Sequence, residues 1–330
     1  MFQKTLSHPY THILIGSAVA GGVLVCVFPQ LLPKLSWVVN YAVQLMLVYL
    51  FAGLVFLALK QPRLTFILFT GCLALSFFLK YSVNNDSIER WRQTVIKRYT
   101  PAPQVETELK IAHLNLSNSK DVSSTIAALR SSDADLLSIH EVTPNWDQWL
   151  KDSLSDLYPN HHTLVDLGLF GMAIYSKLPL GQIDTFYYQE IPNLRGFFEK
   201  ENKTYCFFSV HTEPALNTFS LKRLQEHLGQ VAYEARKIES PLIVLGEFNA
   251  VSWSSEIRMF MDSAGLSESR TGFLQETSSF WDVPLDHIFF SHKLQCLDFR
   301  SFKGSASQHL GIMGIYQLKS LTHHAKKTAQ

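Results

Sequence analysis

The stretch that decides the fold is PLIVLGEFNA, residues 241–250 of a chain of 330 residues. Leu242 to Gly246 form an unbroken apolar run, which is typical of a buried β-strand. The run stops at Glu247 and Asn249, which are two residues apart and are therefore expected on one side of an extended segment. In α/β proteins, side chains that leave a sheet together at a strand end often bind metals or carry catalysis.

Other apolar segments of the chain also end at a polar residue. We predict further strands at 109–114, 135–139, 171–176, 204–210, 285–291 and 312–318. Apolar residues spaced three or four positions apart predict helices at 119–132 and 220–237. The alternation of strands and helices is typical of an α/β fold.

The polar residues at these strand ends combine carboxylates, amides and imidazoles. They are Asn115, Glu141, His211, Glu247, Asn249, Asp286 and His309. Carboxylate oxygens hold Mg²⁺, which binds through one or two carboxylates together with a substrate phosphate. Amides donate hydrogen bonds to phosphate oxygens, and histidines donate protons or stabilise a charged transition state. The set therefore indicates metal-assisted phosphoryl chemistry.

Three apolar runs precede this region, at residues 12–32, 37–59 and 64–81. Each has roughly the ~20 residues that cross a bilayer. The breaks at 33–34 and 60–63 are short, charged and contain proline, as turns between spans should be. Because nearly every face of each run is apolar, we favour membrane spans over buried helices of a soluble core. A cleaved signal peptide is disfavoured because two more spans follow the first.

The basic residues near the spans predict the orientation in the membrane. Lys4 and the Lys60/Arg63 turn favour a cytoplasmic N-terminus, which puts the C-terminal portion on the extracytoplasmic side. Five basic residues after the third span argue for the opposite side: Lys80, Arg90, Arg92, Lys97 and Arg98. We predict an integral membrane protein with an extracytoplasmic soluble domain.

Four regions follow from this pattern. They are a membrane region at 1–81, a juxtamembrane connector at 82–108, a soluble domain at 109–318 and a polar tail at 319–330. The connector is predicted to hold a short interfacial helix at 88–99 that carries Trp91.

Charge and cysteine content exclude several function classes. The chain has 29 basic and 28 acidic residues, so no strongly basic surface predicts binding to long duplex DNA. Only Cys206 and Cys296 lie in the soluble domain, each in an apolar strand-like run, and we interpret both as buried free thiols. Neither spacing suits a zinc site.

Seven pieces of the soluble domain resemble, in order and spacing, the endonuclease/exonuclease/phosphatase superfamily. They are KIAHLN (110–115), DADLLSIHEV (133–142), GMAIYSKLPL (171–180), SVHT (209–212), GEFNA (246–250), LDHI (285–288) and SQH (307–309). The resemblance covers residues 109–318. It implies a four-layered α/β sandwich, in which two mixed β-sheets pack face to face with helices outside.

The resemblance also implies a role for each strand-end residue. Glu141 resembles the principal metal ligand, with Asn115 beside it, and the metal would be Mg²⁺ or Mn²⁺. His211 matches a histidine that stabilises the phosphate or assists the leaving group, and Asn249 matches an amide that contacts phosphate or water. Glu247 stands where the family has an aspartate that orients the attacking water. Asp286 matches a secondary acidic residue, and His309 matches the histidine of a closing Ser-Asp-His motif.

Two positions depart from the family pattern. Gly-Asp-Phe-Asn reads Gly-Glu247-Phe-Asn here, one methylene longer, and such a shift of ~1 Å can reduce a rate about 100-fold. Ser-Asp-His reads Ser-Gln308-His, which replaces a carboxylate of the kind that orients an imidazole by an uncharged amide. Both departures favour reduced activity.

The leading hypothesis is a membrane-tethered, Mg²⁺-dependent phosphoesterase, either a phosphodiesterase or a phosphatase. Its substrate would be a lipid headgroup, a small molecule or nucleic acid, since the fold does not choose among them. The alternative is a catalytically degenerate domain that binds a phosphorylated ligand or partner, which the Glu247 and Gln308 substitutions favour. A passive domain on functional spans is disfavoured, because the spans carry almost no polar residues.

Several other residues are interpreted as bystanders. These are His140, His161 and His162, with Trp146 and Trp149 as packing residues. Trp253 is interpreted in the same way, although its position after Asn249 could place it at the rim of the site. Lys222 and Arg223 are expected on a solvated helix face.

Overall fold

The computed structural model describes residues 8–83, 108–117, 119, 121–273, 279–302 and 309–319. The predicted interfacial helix at 88–99 and the tail beyond residue 319 lie outside these residues, as do Ser307 and Gln308. The predicted boundaries of the four regions therefore stay predictions.

Three helices of the N-terminal region are long and apolar enough to cross a membrane. They are α1 (Pro9–Val27), α2 (Ala42–Ala58) and α3 (Pro62–Ser82). Between α1 and α2 the chain forms two 3₁₀ segments, Pro29–Leu31 and Pro33–Tyr41, so the first apolar run is helical only to Val27. Proline explains this break, because it lacks the N–H that would continue a helix.

The three helices pack closely at small residues. A Cβ at Gly71 of α3 would lie 2.4 Å from Val19 Cγ1 and 3.1 Å from Tyr49 Cδ2, so glycine lets the helices approach. Close approach at small residues is how helices associate in lipid, where no hydrophobic force drives them together.

Twelve strands and four helices form the rest of the described chain. The strands of the first sheet are β1 (Leu109–Asn115), β2 (Leu136–His140), β3 (Asn160–Leu164), β4 (Met172–Ser176), β11 (Leu294–Phe302) and β12 (Gly311–Leu318). Those of the second sheet are β5 (Leu180–Tyr188), β6 (Ile191–Lys200), β7 (Lys203–His211), β8 (Leu242–Glu247), β9 (Leu266–Glu268) and β10 (Asp286–Ser291). The helices are α4 (Val122–Ser131), α5 (Pro144–Leu154), α6 (Thr218–Arg236) and α7 (Ser255–Ala264).

Both sheets are six-stranded and mixed. The first has the order β11-β12-β1-β2-β4-β3, and the second has the order β5-β6-β7-β8-β10-β9. Among the described strands, only β1–β2 and β7–β8 pair in parallel, at the centre of each sheet. The carboxyl ends of these four strands lie at one end of the molecule.

Three apolar layers hold the sandwich together. Ile111, Leu136, Phe207 and Leu245 belong to the core between the sheets. The outer face of the second sheet packs on α6 and α7, and that of the first sheet packs on α4 and α5. The fold is therefore the predicted four-layered sandwich. Cys206 and Cys296 are free and buried, as predicted.

Capping residues fix where two helices begin. The side chain of Asp121 accepts from Ser124 N, so α4 starts at Val122 rather than at the predicted residue 119. Asn217 forms a capping box with Ser220, so α6 starts two residues before the predicted position. Both side chains satisfy N–H groups that the first turn of a helix leaves without partners.

Candidate active site

The core between the sheets changes from apolar to polar toward the carboxyl ends of the central strands. The inward positions run Ile111, His113, Asn115 in β1; Leu136, Ser138, His140 in β2; Phe207, Ser209, His211 in β7; and Ile243, Leu245, Glu247 in β8. Since side chains alternate faces along a strand, these residues share the inner face. Asp286 joins them from the start of β10, where it pairs with Glu247.

Glu141, Glu247 and Asn115 form the first group of the site. Asn115 Nδ2 donates to Glu247 Oε2 at 2.5 Å and to Glu141 Oε1 at 3.2 Å. Its Oδ1 accepts from Ser117 N at 2.7 Å. Asn115 therefore holds the two carboxylates together, and its role as a metal ligand stays a prediction.

Asp286 lies between two histidines. Its Oδ2 is 2.6 Å from His309 Nδ1, and its Oδ1 is 3.2 Å from His113 Nε2. Burial of His309 opposes its charged form, but the charge and hydrogen bond of Asp286 outweigh burial and raise the pKa of His309 to about 10. Burial likewise opposes the charged form of Asp286, yet His309 and His113 hold its pKa well below the usual value. At neutral pH the pair is an aspartate and an imidazolium.

This pair corrects one expectation from the sequence. The sequence predicts that the replacement of aspartate by Gln308 leaves His309 without an orienting charge. Asp286 supplies that charge, so the substitution does not have the expected consequence for the imidazole.

A row of histidines lies beneath the carboxylates. The His140 ring is 4.5 Å from the His113 ring and stacks 5.0 Å from the His211 ring. His140 Nε2 contacts Ser209 Oγ at 2.8 Å, and its burial holds its pKa well below the usual value, so it is neutral. His140 therefore packs against two histidines of the site, and its interpretation as a bystander stays a prediction. His161 stacks on Tyr175 in β3 and β4, away from this row.

Gly246 leaves room for this row. Its φ is +139°, and a Cβ at this position would lie 2.0 Å from Val210 O and 2.7 Å from His140 Cε1. Any side chain would collide with the backbone of β7 as well as with the His140 ring.

His211 and Asn249 border an open pocket of about 390 Å³. His211 Nε2 lies 3.1 Å from Glu247 Oε2. Asn249 has a left-handed backbone, with φ of +50°, and donates from Nδ2 to Thr212 O at 2.7 Å. The turn at Asn249, rather than an extended chain, brings it beside Glu247. The pocket is also lined by Glu141, Leu169, Phe170, Phe219 and Arg223, so Arg223 is not simply on a solvated helix face.

The donor atoms fit a divalent cation. Glu141, His211 and Glu247 offer ligand atoms within 4.8 Å of one another, and Glu247, Asp286 and His309 form a second such group. Converging carboxylates repel one another unless a positive charge lies between them. Oxygen ligands suit Mg²⁺ and Mn²⁺, and the imidazole of His211 in the first group suits Mn²⁺ better than Mg²⁺. The imidazolium of His309 has no free lone pair for a cation, so in the second group Glu247 and Asp286 are the donors.

The structure brings all seven predicted residues to one end of the sandwich. His113 and His140 belong to the same group but were not predicted. Their signal in the sequence is the two-residue period of a strand. His113 lies two positions before Asn115, and His140 lies two positions after Ser138, so each shares a face with its neighbour.

Comparison with known proteins supports the same fold. A family model described as "Endonuclease/Exonuclease/phosphatase family" matches residues 112–309, more than half of the chain. No curated protein gives a significant match.

Solved structures match over about two thirds of the chain. An endonuclease/exonuclease/phosphatase from Beutenbergia cavernae DSM 12333 is 15% identical, with 64% of this chain and 72% of that chain covered and a TM-score of 0.54. TDP2 of D. rerio, complexed with single-strand DNA product, is 14% identical, with 64% and 100% covered and a TM-score of 0.55. The human Nocturnin catalytic domain, with bound sulfate, is 15% identical, with 65% and 97% covered and a TM-score of 0.52. At such identities the likeness shows the fold alone.

Proposed function

This chain belongs to the endonuclease/exonuclease/phosphatase family, and from that membership we propose that it is a membrane-anchored, divalent-metal-dependent phosphoesterase. The observation that carries the proposal is the convergence of Glu141, Glu247 and Asp286 with His211 and His309. These side chains lie at one end of the sandwich, and three of them line an open pocket. The three apolar helices would provide the anchor.

Glu141 and Glu247 are the residues that would hold the cation. A bound Mg²⁺ or Mn²⁺ would polarise a phosphoryl oxygen and offset the charge that develops there. Asn115 keeps the two carboxylates at a fixed separation through its amide group. Asp286, which lies close to Glu247, would be a further acidic ligand.

The remaining side chains would act on the phosphate and the water. Glu247 is the candidate to orient the attacking water and accept its proton, with His211 fixing the carboxylate. The imidazolium of His309, kept charged by Asp286, would stabilise negative charge on the phosphoryl group. Asn249 would contact a phosphate oxygen from the rim of the pocket.

The alternative, a domain that binds a phosphorylated ligand without turnover, rests on Glu247 and Gln308. The Asp286–His309 pair weakens this alternative, because the imidazole keeps a carboxylate partner. The two functions differ in turnover, so the decisive experiment measures product release as well as binding.

The test is hydrolysis of bis-p-nitrophenyl phosphate by the full chain in lipid nanodiscs, with and without Mg²⁺ or Mn²⁺. We expect metal-dependent release of nitrophenolate, which Glu141→Gln reduces by about 100-fold or more. Glu190→Gln is the matched control, since Glu190 is exposed in the turn between β5 and β6. If a metal-loaded wild-type chain binds inorganic phosphate yet hydrolyses no phosphoester, the binding module is the correct function.

A further inference from the structure

The membrane helices contact the end of the sandwich that carries the candidate site. Trp253 is buried and donates from Nε1 to Val39 O at 2.7 Å. Gln44 Nε2 donates to Phe280 O at 3.1 Å and to Asp282 O at 3.2 Å. Val251 and Trp253 share one apolar cluster with residues of the three helices. Helices and sandwich therefore share a packed interface.

This interface adjoins the site along the chain. Val251 and Trp253 follow Asn249, and Leu285, which also packs on the helix cluster, precedes Asp286. Gln44 lies near the start of α2, and the rest of that helix extends about 21 Å away from it, at about 1.5 Å per residue. The site therefore lies near the end of the helix bundle, on the side opposite to the turn at Lys60.

Two tryptophans indicate that the bilayer surface lies at the level of the interface between the helices and the sandwich. Trp37 is half exposed in the 3₁₀ segment that contains Val39, and Trp281 is exposed beside Phe280. Tryptophan is enriched where membranes meet water, because its ring is apolar and its N–H is polar. The interface between helices and sandwich thus coincides with an aromatic belt.

Two loops beside the pocket expose large apolar side chains at this end. Leu167 is 86% exposed and Leu169 is 52% exposed between β3 and β4. Leu216 is 74% exposed and Phe219 is 71% exposed between β7 and the first turn of α6. We call these four residues the apolar rim. Exposed apolar patches beside a site mark surfaces that bind a membrane or a partner.

The two acidic residues of the same loops have partners in the loop or in the adjoining helix α6. Asp166 accepts from Phe170 N at 3.2 Å, and Glu213 pairs with Arg223 Nε at 2.8 Å. The rim therefore presents apolar side chains with little competing charge. Because the rim lies at the end that joins the membrane helices, the bilayer is the occupant that the geometry favours over another protein.

We propose that the apolar rim inserts into the bilayer surface beside the membrane helices, and that the pocket takes the phosphoester headgroup of a membrane lipid. This inference rests on the proposed phosphoesterase function. Leu169 and Phe219 belong both to the rim and to the pocket lining, so a lipid chain could lie against the rim while its phosphate reaches Glu247 and His211. Water would add to phosphorus as the P–O bond to the alcohol breaks and the alcohol oxygen takes a proton, giving a phosphomonoester and an alcohol.

Insertion can be measured without turnover. Leu216→Cys, in a Cys72→Ala background and labelled with an environment-sensitive fluorophore, reports the environment of the rim, since the other three native cysteines are buried. In vesicles of phosphatidylethanolamine and phosphatidylglycerol, we expect a blue-shifted emission that nitroxide-labelled lipids quench. Met259→Cys on α7, also exposed in the structure, is the matched control and should stay unquenched. If the label at residue 216 is quenched no more than the label at residue 259, the apolar rim does not insert into the bilayer and the proposal is wrong.

Hydrolysis tests the substrate class. Leu167→Ser with Leu216→Ser should lower release of product from the same vesicles by at least about tenfold, since burying one leucine is worth about that factor. Hydrolysis of water-soluble bis-p-nitrophenyl phosphate should change by less than about twofold, because neither leucine lines the pocket. Met259→Ser should change neither rate.

The outcomes separate this inference from the proposed function. A wild-type chain that hydrolyses the soluble diester but neither phospholipid overturns the lipid substrate and leaves the phosphoesterase standing. A chain that hydrolyses neither substrate contradicts the proposed function and with it the lipid substrate, while the quenching result still decides whether the rim inserts.

Discussion

The carboxylate of Glu247 contacts residues of both sheets. Its Oε2 lies 2.5 Å from Asn115 Nδ2 in the first sheet and 3.1 Å from His211 Nε2 in the second. The extra methylene of glutamate extends the carboxylate across the gap between the sheets, so that it reaches partners in both of them. The family pattern has aspartate here, so the sequence alone suggests that restoring aspartate would help.

The geometry predicts the opposite result for Glu247→Asp. Withdrawing the carboxylate by about 1 Å weakens its contacts, and kcat/KM for bis-p-nitrophenyl phosphate should fall by about 10- to 100-fold. Steady-state kinetics of the full chain in nanodiscs measures this, with the exposed Glu190→Asp as the control. An unchanged or higher kcat/KM would mean that Glu247 does not position the reacting groups.

The residues of the site were only partly predictable from the sequence. Residues at the very end of an apolar run, such as Glu247 and His211, stand out because composition changes abruptly there. His113 and His140 lie within such runs and are buried, where a histidine is most simply explained as packing. The face-to-face packing of the two sheets brings His113 next to Asp286 and His140 next to His211.

The strands differ in how readily they can be predicted from the sequence. Those covered on both faces, such as β8, are unbroken apolar runs, and they were predicted to within a residue or two. The hairpin of β5 and β6 was not predicted. β5 lies at a sheet edge and is only partly buried, so its sequence lacks an apolar run.

The segment after β8 joins the site to the three apolar N-terminal helices. The sequence predicts that Trp253 is a packing residue that could line the rim of the site. In the structure it packs against the helices and the 3₁₀ segment before α2. Sequence could not reveal this contact, because it joins residues 214 positions apart.

Trp253→Phe tests this contact. The substitution keeps most of the packing and removes the hydrogen bond to Val39 O, which still accepts from Ala42 N. Losing that bond should cost about 0.5–1.5 kcal/mol. Thermal unfolding of the full chain in detergent should show a lower Tm than the wild type. Trp149→Phe is the control, since Trp149 is 40% exposed and should shift Tm much less. Equal shifts for the two variants would contradict a stabilising interface at Trp253.

The three helices place the start of α1 and the sandwich at opposite ends of the bundle. Together with Lys4 and the Lys60/Arg63 turn, this arrangement leads us to propose that the sandwich is extracytoplasmic. A cysteine introduced by Thr328→Cys should react with a membrane-impermeant maleimide in intact cells. Gln61→Cys, in the turn between α2 and α3, is the control and should react only after lysis. The reverse pattern would put the sandwich in the cytoplasm.

A divalent cation at Glu141 and Glu247 is the central claim, and thermal unfolding of the full chain with increasing Mg²⁺ or Mn²⁺ tests it most directly. A ligand that binds only the folded chain stabilises it by about 2.7 kcal/mol at 100 times its Kd. Tm should therefore rise steadily with metal concentration. Glu141→Ala should fold in the absence of metal and lose the rise, whereas Glu190→Ala should keep it. A wild-type Tm that is indifferent to millimolar Mg²⁺ and Mn²⁺ would contradict the metal site and the hydrolysis proposed to depend on it.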